Sequence, residues 1–206
     1  MPSFTCNVSS GSCRSFLLKE NLSHLSQTIE IHAAHGYLLN GFLSPASNTR
    51  TDAYGGPSFE NRIRLLLEIV DDTLALIPKD TLLMVRIPGS DWLEHLGTPE
   101  EVPQWDVLQA VELGKILAKR GVDWLDVTSG GLDSRQKIAA GPGYQVFLAD
   151  AVKKGLKEEG LDNIIVSAVG VITEGKQAEE ILDKGQADAV AVGRGFLKNP
   201  GKTAAS

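Results

Sequence analysis

Five short runs of β-branched and other apolar residues recur along the chain: TIEIH at 28–32, LLMVRI at 82–87, WLDVT at 124–128, NIIVSA at 163–168 and DAVAVG at 188–193. Between them lie four longer stretches with helical spacing of apolar residues. These are 59–77 (Ile63, Leu66, Leu67, Ile69, Val70 and Leu74), 104–120, 144–159 and 174–184. Strand and helix take turns, and this alternation constrains the fold more than any other feature of the sequence. Near-continuous apolar strands separated by helices predict an α/β protein with a parallel sheet covered on both faces, because an antiparallel sheet would alternate polar and apolar positions. Gly121, Gly160 and Gly185 follow the second, third and fourth helical stretches as stop signals, each just before the next strand. Repeated units of one shape suggest a barrel. A (β/α)8 barrel needs eight strands and about 250 residues, whereas five strands are legible in these 206 residues. The expectation is an open sheet or an incomplete barrel.

At a typical domain size of about 150 residues, the chain corresponds to one domain. Residues 1–27 are Ser-rich, broken by Gly11 and without sustained periodicity, and read as an irregular lead to a domain at 28–206. With 42% hydrophobic and 22% charged residues, the composition is that of globular chains and unlike disordered or collagen-like ones. A net charge of -6 without a basic patch disfavours nucleic acid as a partner. Cys6 and Cys13, the only cysteines, supply neither a disulfide framework nor a zinc or iron-sulfur ligand set. The absence of a long apolar run and of a basic-then-apolar leader predicts no membrane partner and a cytoplasmic location.

In open and closed α/β sheets alike, chemistry collects at the carboxyl ends of the strands. The first run continues as IEIHAAHGYLLNGFLSP, which brings His32, His35 and Tyr37 together on a strand end and the loop after it. Taken alone, H-x-x-H is equally compatible with a core histidine held by a backbone carbonyl or with half of a metal site, and no third ligand stands nearby. Arg86 directly follows LLMV, an unusual place for a solvated arginine, and an ion pair with Asp91 or Glu94 is the structural alternative. The fourth run leads into SAVGVITEGKQAEE, where Gly170 allows close backbone approach and Thr173 can cap a helix starting at Glu174. The fifth ends in Gly193-Arg194-Gly195-Phe196, a glycine bend carrying a guanidinium. Neighbouring strand ends would then share one phosphate.

A phosphate-loop nucleotide hydrolase is a rival reading of GVITEGKQ, which has a strand before, a helix after, and Gly170, Gly175 and Lys176 in place. It fails where a Ser or Thr should hold Mg²⁺: that position is Gln177, and ADAVAVG does not end in the Asp that would complete the metal site.

The stretch IEIHAAHGYLLNGFLSPASNTRTDAYGGPSFENRIRLLLEIV closely resembles the strand-four region of the Old Yellow Enzyme family of FMN-dependent NADH:flavin oxidoreductases. The resemblance continues in family order through LLMVRI, DVTSGGLDSRQKIAAGPGYQVFLADAVKK and IIVSAVGVITEGKQAEEILDKGQADAVAVGRGFLKNP, covering about residues 28–200. It is strongest to the branch with a His-His pair. The resemblance implies a TIM (β/α)8 barrel of which this chain carries about five units, corresponding to strands 4 to 8. It implies FMN as cofactor, NADH or NADPH as hydride donor, and an enone or related activated alkene as the small-molecule substrate. His32 and His35 would then bind the substrate oxygen and stabilise enolate charge. Tyr37, as a phenol protonated at neutral pH, would be the acid. Arg86 would lie beside the flavin ring, and Gly170, Gly193 and Arg194 would bind the phosphate. No metal is implied. Residues 1–27 resemble none of the three preceding family strands that hold the other side of the flavin, and NPGKTAAS is shorter than the family's helical end. The expectation is an incomplete barrel with ene-reductase chemistry as its inherited function. The alternative is a catalytically inactive remnant that binds flavin weakly or pairs its free strand edges with another chain, such as a second copy.

Overall fold

A computed structural model describes residues 28–199. They form strand β1 (Thr28–His32), helices α1 (Leu38–Leu43) and α2 (Phe59–Leu76), and strand β2 (Leu82–Pro88). Helix α3 (Val107–Lys119), β3 (Trp124–Thr128), α4 (Val146–Glu158) and β4 (Ile165–Val169) follow, then α5 (Gly175–Asp183), β5 (Ala189–Ala191) and α6 (Arg194–Lys198). The irregular reading of 1–27 lies outside the described residues. Every expected strand and helix is present, with ends shifted by a few residues. Beyond the four helical stretches the chain forms α1, whose six residues LLNGFL are too few to carry a helical period, and the five-residue α6. As expected, α3, α4 and α5 stop at Gly121, Gly160 and Gly185. Each closes with the same bond, Val122 N–H to Leu117 O, Leu161 N–H to Leu156 O and Gln186 N–H to Ile181 O, which satisfies a last-turn carbonyl.

The strands are all parallel and lie in chain order, β1-β2-β3-β4-β5. Connections between parallel strands are right-handed almost without exception, so strands that always step the same way carry their helices on one side. Burial agrees. Leu83, Val85, Ile87, Leu125, Val127, Val166 and Ala168 are fully buried and share one core with Leu66, Val70, Leu113, Leu117, Val152 and Leu156 of the helices. The intervening residues Glu30, His32, Arg86, Asp126 and Ser167 stand in register on the other face. The expectation of a sheet covered on both faces is therefore corrected: among the described residues the helical core packs on one face, and on the other Asp126 and Ser167 are buried in a polar network. The runs LLMVRI and WLDVT read as continuous because Met84 and Trp124 are apolar, yet Arg86 and Asp126 mark a polar face at period two.

Two buried polar groups fasten the loops on which the site rests. Arg62, 4% exposed, donates to Leu43 O at 2.8 Å, Pro57 O at 2.7 Å and Gln109 Oε1 at 2.5 Å, tying α1 and the 44–58 loop to α3. Asp91 accepts from Ser44 Oγ at 2.5 Å and Trp105 N–H at 2.8 Å, joining the loops after β1 and β2. Burial pushes its carboxyl up to about 6.

Candidate active site

At the carboxyl edge of β1 the chain turns through two left-handed residues, His35 (φ 59°) and Gly36 (φ 74°). Gly36 N–H donates to Asn40 Oδ1 at 2.8 Å, so the first turn of α1 holds the bend. The bend folds the rings back on one another: the His35 and Tyr37 ring centroids lie 5.2 Å and 5.3 Å from that of His32. Tyr37 is 61% exposed, and its side chain is not used to cap α1. A Cβ on Gly36 would stand 2.2 Å from Gly131 O, and one on Gly131 (φ 88°) would stand 2.9 Å from His35 Cα. The loops after β1 and β3 thus meet backbone to backbone, an approach open only to glycine. At this contact His35 Nε2 lies 2.8 Å from Thr128 Oγ1.

Arg86 is the register partner of His32 on β2. Its Nε donates to Asp126 Oδ2 at 2.6 Å and lies 3.0 Å from Glu30 Oε1. Asp126 Oδ1 also accepts from Ser167 Oγ at 2.9 Å, and Ser167 Oγ accepts from Trp124 Nε1 at 2.9 Å. The alternative pairing of Arg86 with Asp91 or Glu94 is corrected: its partners come from neighbouring strands of the same face rather than from its own loop. Burial raises the Glu30 carboxyl above its ordinary range, with Arg86 opposing. Burial, then His35 and Arg86, push His32 down to about 4. His35 is lowered by burial and by Arg86. Both imidazoles are therefore neutral at pH 7, each with one N–H and one lone pair. Among the described residues, His32 Nδ1 is buried without a hydrogen-bond partner, an arrangement that asks for a ligand or water, whereas Glu30 Oε1, likewise buried without a hydrogen bond, is held by the Arg86 charge at 3.0 Å.

The second group of expected residues stands on the same edge, three strands along. Val169 pairs with Ala191, which puts Gly170 and Gly193 just past neighbouring strand ends. The close approach at Gly170 (φ 130°) is to Gln145, whose Cγ a Cβ would meet at 2.7 Å, and Gly143 N–H donates to Gly170 O at 2.9 Å. Gln145 Oε1 accepts from Ser129 Oγ at 2.5 Å, and Ser129 Oγ accepts from Trp92 Nε1 at 2.8 Å. A Cβ on Gly193 would project into open space, and Arg194 begins α6 exposed to solvent. Thr173 does not cap α5. The helix starts at Gly175 with Glu174 in the cap position, and Thr173 N–H donates to Gln177 Oε1 at 3.1 Å instead.

The structure thus gathers His32, His35, Tyr37 and Arg86 at one end of the edge and Gly170, Gly193 and Arg194 at the other. At a strand spacing of about 4.8 Å the two groups are roughly 14 Å apart along the sheet. Sequence reasoning missed Asp126, Thr128, Gly131 and Gln145. Asp126 and Thr128 were legible as the polar positions of WLDVT at the period of Arg86, whereas Gly131 and Gln145 act through contacts distant in sequence. Cation, neutral N–H donors, an unpartnered buried ring nitrogen and an open glycine bend with a guanidinium fit one side of an elongated ligand with an anionic end, such as a flavin mononucleotide. No group of three His, Cys, Asp or Glu side chains suited to a metal ion occurs among the described residues, and no described helix is long and apolar enough to cross a membrane.

Comparison with known proteins shows the family of the chain. The sequence profile of the NADH:flavin oxidoreductase / NADH oxidase family matches residues 26–204. An NADH:flavin oxidoreductase of Gibberella zeae is 52% identical over 177 residues, covering 84% of this chain and 41% of that protein. An NADPH dehydrogenase of Halalkalibacterium halodurans is 45% identical over 172 residues, covering 84% of this chain and 46% of that protein. This chain therefore spans less than half the length of these relatives. Among solved structures, morphinone reductase in complex with tetrahydroNAD superposes with a TM-score of 0.62 at 26% identity, over 86% of this chain and 42% of that one. A 2-naphthoyl-CoA reductase complex gives a TM-score of 0.69 at 27% identity, over 84% of this chain and 25% of that one. The five βα units are similar to part of these TIM-barrel enzymes.

Proposed function

Since the chain belongs to the NADH:flavin oxidoreductase / NADH oxidase family, whose members are FMN-dependent NAD(P)H oxidoreductases, we propose that it binds FMN and reduces activated C=C bonds of α,β-unsaturated carbonyl compounds. When bound, FMN would supply the hydride chemistry, recharged from NADH or NADPH. Gly170, Gly193 and Arg194 would hold its phosphate through backbone N–H groups and a guanidinium, and Arg86 would face its ring. His32 and His35 would each give an N–H to the substrate carbonyl oxygen, where negative charge gathers during reduction. Their neutrality suits this task, because a neutral donor stabilises the oxyanion without first handing over a proton. Tyr37 would deliver the proton to the α-carbon. One observation carries the reading: three protic rings converge at His32 beside Arg86, with His32 Nδ1 buried and unpartnered.

The test is a visible spectrum of the full chain after incubation with FMN and desalting, followed by NAD(P)H and an enone. Retained flavin bands that bleach with NAD(P)H and return with the enone are expected, and a protein that stays colourless overturns the reading. Tyr37→Phe should slow re-oxidation by the enone about 10²- to 10⁴-fold while leaving bleaching by NAD(P)H unchanged in stopped-flow traces. A second reading is a flavin binder that does not turn over, favoured by the chain spanning less than half the length of its relatives. It predicts retained bands that no enone restores. The small-molecule substrate class, the cytoplasmic location and association with a second copy also remain part of this proposal, the last checked by sedimentation velocity.

A further inference from the structure

Thr128 stands at the carboxyl end of β3 on the face shared by Arg86 and Asp126, paired in register with Pro88. It is 2% exposed, and its carbonyl is occupied by Gly89 N–H at 2.7 Å. Among the described residues its hydroxyl has a single hydrogen-bond partner, His35 Nε2 at 2.8 Å. The following residue turns away: Ser129 serves Trp92 and Gln145. A buried O–H must donate or leave its proton unpaired, whereas a hydroxyl lone pair left without a donor is the smaller loss. With one partner only, the satisfied arrangement has Thr128 O–H donating to the lone pair of His35 Nε2. The ring proton of neutral His35 then sits on Nδ1. The backbone locks the geometry, since Gly36 and Gly131 press the two loops together at this point.

We propose that Thr128 is a positioning residue that selects the Nδ1–H tautomer of His35, so that the ring meets a ligand oxygen with Nδ1–H rather than Nε2–H. The inference rests on the proposed role of His35 only for its consequence, since the tautomer itself is a property of the unliganded chain. Loss of the hydroxyl would let both tautomers form, and half of the donor pair would at times present a lone pair to the substrate oxygen.

The experiment is long-range ¹H–¹⁵N correlation on ¹⁵N-histidine-labelled full-length protein at pH 7.5, without flavin. His35 is assigned by loss of its signals in His35→Gln, and the exposed His95 serves as an internal control. In the unsubstituted chain His35 Nε2 should resonate as an unprotonated, pyridine-type nitrogen and Nδ1 as a protonated one. In Thr128→Val both should shift toward intermediate values, and Thr128→Ser should restore the original pattern. A protonated Nε2 in the unsubstituted chain overturns the proposal, as does a Thr128→Val spectrum with His35 unchanged. If Thr128→Val fails to fold, the unsubstituted and Thr128→Ser spectra still decide it, because both must show pyridine-type Nε2. Failure of flavin binding or enone reduction would leave this spectrum untouched, so the two readings fail separately.

Discussion

His32 is where single-residue electrostatics meets function. Its folded-state value of about 4 lies below the ordinary imidazole value of about 6.5, so an unfolded chain takes up a proton first as pH falls. Stability present above pH ~6.5 is therefore lost as pH drops toward about 4, and His35, lowered in the same direction, adds to the loss. The groups facing the pair are Arg86, which lowers both values, and Asp126, which raises them. Asp91 acts oppositely: its carboxyl, raised to about 6, binds protons more readily in the folded chain and stabilises it as pH falls below that value. Glu30, also raised, has the same sign. Thermal unfolding followed across the range should show a decline beginning near pH 6.5, partly offset below pH 6 by Asp91. His32→Gln should flatten the decline, and an unchanged pH profile in that variant would contradict the assigned burial of the imidazole.

Among the elements, α3 and α4 show how close packing sets the platform under β3. A Cβ on Gly155 of α4 would lie 2.4 Å from Val111 Cγ1 of α3, and one on Gly114 would lie 3.2 Å from both Leu125 Cδ1 and Val152 Cγ1. Helix propensity alone favours Ala over Gly by about 1 kcal/mol. Overpacking against a stiff β-branched neighbour costs about 1–3 kcal/mol, and contact at this distance belongs to the upper part of that range. Gly155→Ala should therefore lower Tm by a few degrees, given about 2–4 °C per kcal/mol for a domain of this size. A rise in Tm, read by circular dichroism, would mean that the helices separate without penalty. Because β3 carries Asp126 and Thr128, displacement of α4 would also reach the site.

At the scale of the whole molecule, one sheet face is a dry core and the other carries a polar network of Glu30, Arg86, Asp126 and Ser167, with the proposed ligand-binding groups at its carboxyl edge. A ligand that binds only the folded chain stabilises it by about 2.7 kcal/mol at a hundredfold excess over its Kd, which corresponds to roughly 5–10 °C in Tm. FMN should raise Tm by this order, and riboflavin, which lacks the phosphate, by less. Arg194→Ala should shrink the FMN shift and leave the riboflavin shift alone. Equal responses to the two flavins would remove Gly170, Gly193 and Arg194 from the phosphate-binding role.

Much of this protein was legible without coordinates. The five strands and the helices between them follow from local periodicity, because burying one face of each element imposes its repeat on the sequence directly. His32, His35 and Tyr37 were visible because three protic side chains crowd one strand end, and Arg86 because a cation interrupts an apolar run. Tertiary structure alone decided the rest. The pairing of Arg86 with Asp126 and Glu30 depends on strand register, which joins residues 40 and 56 positions away. The dependence of His35 on Thr128 spans 93 positions and rests on a glycine-to-glycine contact that no local pattern encodes. Which face of the sheet the helices cover follows from the order of the strands. Periodicity records that a residue is buried or polar, and only the assembled backbone determines which distant group it meets.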